Sequence, residues 1–117
     1  MSDSTVLSSH LRRASLSADE IVLDFVDANE AVNYLMQHDM GISGWEGRII
    51  RSDGSRGDAP EYSGSGGIYP AAGEPPVAFA KRSGLLCRRT IREQHDRWLL
   101  DPRSVHERLY FCVTLTQ

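Results

Sequence analysis

Cysteine is scarce in this chain. Its two thiols, Cys87 and Cys112, are too few for a disulfide framework and form no Cys-x-x-Cys pair. Reduced thiols and a cytoplasmic location are therefore expected. Lysine is almost missing: Lys81 stands alone beside twelve arginines. No apolar run approaches the ~18–20 residues that cross a bilayer, so no membrane partner is expected. The start, Met1-Ser2-Asp3-Ser4, has neither the basic nor the apolar region of a signal peptide, which argues against secretion. The four histidines, His10, His38, His95 and His106, lack partners at ligand spacing. No metal site is expected from them, and no cofactor is assigned. Internal repeats are absent.

What remains reads as one domain. At 117 residues, with 40% apolar and 25% charged side chains, the chain falls among ordinary globular proteins with a modest core. Its charge is unevenly divided: residues 1–76 carry a net −7 and residues 77–117 a net +4. Opposed halves imply internal pairing and a surface whose partners sense its sign.

The Ser-rich stretch 1–19 is expected to be a flexible N-terminal segment. Residues 20–26 (Glu-Ile-Val-Leu-Asp-Phe-Val) read as a strand, Ile21, Leu23 and Phe25 facing one way. A rival is a single helix over 18–40 behind a capping box at Ser17–Glu20. Asp27, with Glu30 three residues on, reads as the N-cap of a helix striped by Ala28, Ala31, Val32, Leu35 and Met36. Gly41 ends it. His38, in its last turn, reads as a helix-end cation. Trp45–Arg51 is the next strand, and Asp53-Gly54 a turn signal. A polar, glycine-rich loop follows over 52–75, long enough to suggest function. Val77–Lys81 reads as a third strand, interrupted at Gly84. Thr90-Ile91-Arg92-Glu93 is a capping box for a second helix. Leu109, Phe111, Val113 and Leu115 alternate with Tyr110, Cys112 and Thr114 in a last strand. The succession predicts an α+β fold, a two-layer sandwich of βαββαβ order with a ferredoxin-like antiparallel sheet.

The layout resembles that of PII-like signalling proteins, in which a long loop joins the second and third strands of a ferredoxin-like unit. The resemblance is one of architecture and carries no residue across. It implies a regulator that binds a small molecule or nucleotide.

Motifs for chemistry are thin. Cys87 lies beside Arg88 and Arg89, a setting that lowers a thiol pKa, with His95 the nearest base. Gly64-Ser65-Gly66-Gly67 is glycine-rich but neither opens a helix nor precedes a lysine. Arg82, Arg88, Arg89, Arg92, Arg97, Arg103 and Arg108 form a basic crescent, yet the isoelectric point near 5.7 disfavours nucleic acid. The leading expectation is a small non-enzymatic protein that binds and regulates or inhibits a partner protein with a basic surface. Immunity-type or anti-defence-type inhibitors are of this kind, and a homo-oligomer is compatible with it. Its surface is expected on the loop, at Asp53, Asp58, Glu61, Tyr62 and Tyr69, with Arg88, Arg89 and Arg92 as the alternative face.

Overall fold

The computed structural model describes residues 3–64 and 66–116. A 3-10 turn (Asp3–Val6) and the helix α1 (Ser9–Ala14) lead into β1 (Ile21–Leu23), α2 (Phe25–Gln37), β2 (Ile42–Ile50) and β3 (Arg56–Ser63). Then come α3 (Pro76–Leu99), a 3-10 turn (Pro102–Val105) and β4 (Arg108–Leu115). The fold is α+β: a four-stranded antiparallel sheet packed against helices.

The ferredoxin-like arrangement does not form. The strands lie in the order β1-β4-β2-β3, placing β4 and β2 at the centre, and a third helix precedes them. The strands themselves supply the reason. Leu109–Val113 is buried without interruption, as a strand covered on both faces and paired on both sides must be. β1 has only three residues, enough for one edge pairing, Ile21 to Val113 and Leu23 to Phe111.

Several local expectations are corrected. Asp24, not Asp27, caps α2: its carboxylate accepts the Asp27 N–H at 2.9 Å, which draws Phe25 and Val26 out of the strand and into the helix. Asp39, at φ 55°, makes the left-handed exit from α2 in place of Gly41. Gly41 instead lies against the Phe79 ring, where an added Cβ would come within 2.5 Å. The long loop 52–75 is not one loop. Arg51–Ser55 is a tight turn, with Ser55 N–H on the Asp53 carboxylate, and β3 runs straight back along β2. That removes the long connection between second and third strands on which the PII-like layout depends. Val77–Lys81 is no strand, and Thr90 starts no helix. Both belong to α3, which opens on Pro76 in the first turn and runs for 24 residues.

The core fills the space between the sheet and α2 and α3. Phe111, Val113, Ile21, Leu23, Trp45 and Ile49 meet Val32, Leu35, Cys87, Ile91 and Trp98 there. From the N-terminal segment, Leu7 and Leu11 join it. A smaller cluster, Val22, Tyr110 and Cys112 with Leu16 and Ile50, lies on the opposite face of the sheet. No described helix is long and apolar enough to cross a membrane.

Candidate functional site

The face of the sheet turned away from α2 and α3 is built by register. Val22, Cys112 and Glu46 share one rung, Tyr110, Arg48 and Asp58 the next, and Arg108, Ile50 and Arg56 the third. The chain before β1 reaches this face round the sheet edge: Leu16 N–H bonds to Val22 C=O at 2.9 Å, and Val22 N–H to Ser15 Oγ at 3.0 Å. Between that strap (Leu16, Ser17, Glu20) and β3 (Arg56, Gly57, Asp58) runs a groove of about 490 Å³, with Val22 and Arg48 in its floor.

Arg48 is the centre of the groove. Its Nη2 donates to Glu46 Oε1 at 3.0 Å and to Glu20 Oε2 at 3.4 Å. Its Nε, shut off from water, lies 3.3 Å from Asp58 Oδ1 without the alignment of a hydrogen bond. The Glu46 bond, more than any other influence, raises the Arg48 pKa, and the guanidinium stays charged. The side chain of Arg48 is 26% exposed, those of Glu20, Glu46 and Asp58 are 52, 62 and 82% exposed. One cation thus meets three carboxylates that still present oxygen to solvent. Cys112, beneath them, donates its S–H to Glu20 Oε2 at 3.5 Å, and burial above all pushes its thiol up to about 12.

The structure separates the residues expected on the loop. Asp58 stands in the groove. Asp53 belongs to the β2–β3 turn, where the bonds from Ser55 lower its pKa. Glu61, inside β3's register shift, pairs with Arg103 at 3.1 Å. Tyr62 is 2% exposed: it meets Trp98 edge-on at 5.3 Å and donates its hydroxyl to Asp101 Oδ2 at 2.8 Å. It is a core residue and offers no surface. Tyr69 is 75% exposed, while its neighbour Ile68 anchors the chain between β3 and α3 through Ile68 N–H to Ser43 C=O at 2.7 Å. Glu20 and Glu46 were missed, although Glu46 alternates with Arg48 on a legible strand. No sequence signal brings the strap carrying Glu20 to them.

The alternative basic face is dispersed. Arg88, Arg89 and Arg92 project from α3, Arg89 toward Glu93 at 3.6 Å and Arg92 over the Phe25 ring at 5.8 Å. Arg82 is engaged by Glu74, Arg97 by the Glu61 carbonyl, and Arg103 by Asp101 and Glu61. A phosphate backbone would have to compete with those partners.

Chemistry by a thiol finds no support. Cys87 is fully buried and its thiol is pushed up to about 12, the reverse of activation. His95 lies flat on Phe25 at 3.8 Å, and burial lowers its pKa. His38 stacks on Tyr34 and bonds through Nδ1 to its carbonyl. One grouping escaped the sequence: His10 Nε2 sits 3.2 Å from Glu30 Oε2, with Asp27 beside them, joining α1 to α2. Both paired side chains are more than half exposed, and a surface ion pair accounts for the contact.

In comparisons with known proteins, no family model, no curated protein and no solved structure matches the chain.

Proposed function

We propose that the chain is a small non-enzymatic protein that binds a partner protein with a basic surface and regulates or inhibits it. Immunity-type and anti-defence-type inhibitors work in this way. The observation that carries the reading is the groove on the sheet face without helices. Arg48 and Arg56 there face the exposed carboxylates of Glu20 and Asp58, and Glu46 holds Arg48 from the neighbouring rung. A concave patch rimmed by charges of both signs suits a specific, polar protein contact. The chain's net charge of −3 speeds encounter with a basic partner. The two free thiols suit a reducing compartment, and we place the protein in the cytoplasm.

The test is capture from extract of the native host, followed by reconstitution with the purified partner. The expected result is a stoichiometric complex that alters the partner's activity and whose association slows as salt is raised. Failure to capture a partner, or turnover of a small molecule by the purified chain, overturns the reading.

A further inference from the structure

We propose that the cavity where Val6, the end of β4 and the start of α3 meet is a small-molecule binding site. Its ligand is neutral and largely apolar, with a ring and one hydrogen-bonding group. The inference goes beyond the partner-binding reading and stands or falls without it.

Three observations converge on it. The first is shape. Val6, Met40, Pro70, Pro76, Phe79 and Leu115 line a hollow of about 450 Å³, a size typical of small-molecule sites. They belong to the first 3-10 turn, the α2–β2 link, the chain before α3, α3 itself and β4, so the fold rather than one loop sets the walls. The second is surface chemistry. Val6, Met40 and Leu115 are half-buried: they pack on the core and still open onto the hollow. Pro70 and Pro76 are exposed and, as prolines, bring no N–H. These five supply the accessible apolar surface, and the buried Phe79 only backs it. Nearby backbone donors are already spent. Leu115 N–H goes to Asp3 Oδ2 at 3.1 Å, Thr116 N–H to Gly41 C=O at 3.0 Å and Met40 N–H to Leu35 C=O at 2.9 Å. The third is polarity. Among the described residues the charged groups of the lining are Asp39 and Glu74, both acidic, and Glu74 is taken up by Arg82 and the Ala71 N–H. A phosphate, nucleotide or carboxylate would meet two carboxylates there and no open cation. Thr116 Oγ1, on the same wall, is shut off from water and has no hydrogen-bond partner among the described residues. Turned about its χ1, that hydroxyl can pair with a single polar group on the ligand.

The experiment is a titration of the isotopically labelled full chain with benzyl alcohol, indole and benzoate, followed by backbone amide resonances. The two neutral rings should give saturable shifts at Val6, Asp39–Gly41, Phe79 and Leu115–Thr116, with the millimolar affinities of fragments this small. Benzoate, the same ring bearing a carboxylate, should bind about tenfold more weakly than benzyl alcohol. Asp39→Asn, which tolerates the left-handed backbone, should narrow that gap. Val6→Phe, which fills the hollow, should abolish the saturable shifts. Val105→Phe, the same change on the exposed turn before β4, should not. Thr116→Val, equal in shape but without the hydroxyl, should weaken benzyl alcohol about two- to tenfold, the scale of one hydrogen bond. Melting temperatures of all variants check that they fold. Scattered or non-saturating shifts, equal binding of benzyl alcohol and benzoate, or equal effects of Val6→Phe and Val105→Phe overturn the inference. Unchanged binding to Thr116→Val overturns the hydrogen-bonding group assigned to the ligand.

Discussion

Tyr62 is held three ways: by Trp98 edge-on at 5.3 Å, by the Arg97 guanidinium 4.4 Å above its ring, and by the 2.8 Å bond to Asp101. Removing the hydroxyl alone, Tyr62→Phe, leaves a carboxylate oxygen short of a donor and should cost about 1–2 kcal/mol of unfolding free energy. Tyr62→Ala also opens a cavity and should cost about 3–5 kcal/mol. Denaturant melts measure both, and a loss near zero for either would mean that the side chain is not buried as described. Asp58→Asn in the groove should stay within about 0.5 kcal/mol, as exposed substitutions do, because its side chain is 82% exposed. Glu74 supplies a pH signature. Arg82 clasps its carboxylate at 2.8 and 2.9 Å, Ala71 N–H adds a third bond at 2.9 Å, and these hold its pKa at about 2, the Arg82 bonds foremost. The folded value lies below the ordinary 4.5. The contribution is therefore complete above pH 4.5 and fades as pH falls toward 2. Melting temperatures of wild type and Glu74→Gln should differ modestly at neutral pH and converge near pH 2.

α3 shows how an element is decided by tertiary context. Phe79, Ala80, Ser83, Gly84, Cys87, Ile91 and Trp98 are its buried residues, one stripe at helical spacing. That stripe was in the sequence, but two local cues outweighed it: the apolar run at Val77–Ala80, which resembles a strand, and Gly84, which resembles a break. Gly84 is there because α2 passes close by. A Cβ would lie 2.1 Å from Met36 Cγ. Gly84→Ala gains about 1 kcal/mol of helix propensity but overpacks the crossing at about 1–3 kcal/mol, so stability should fall. In a Met36→Ala background the same substitution should raise it, and a double-mutant cycle reads the change of sign. Thr90, read as a cap, does its work inside the helix: its hydroxyl accepts the Trp45 indole N–H at 2.8 Å and donates to the carbonyls of Leu86 and Cys87. β4 was legible because its alternation is uninterrupted. β3 was not, since Ala59 and Tyr62 are its only buried residues and Pro60 sits between them.

At the scale of the whole molecule, the α+β class and the inward face of β4 could be read from the chain. The order of the strands and the groove could not, because both depend on pairings between distant segments. Glu20 meets Arg48 across 28 positions and Arg56 meets Leu16 across 40. The two borders of the sheet also differ. At β1, Ser15 and Leu16 take up both backbone groups of Val22, so that side is already finished. At β3, no further strand follows among the described residues. Pro60 and a register shift interrupt it, and the Arg51 and Arg97 guanidinium groups bond to the Arg56 and Glu61 carbonyls. Endless strand-on-strand stacking needs a donor border and an acceptor border on every copy. A molecule with one sealed border can be extended at most once, so copies joined through their sheets would stop at a pair and could not grow into a fibre.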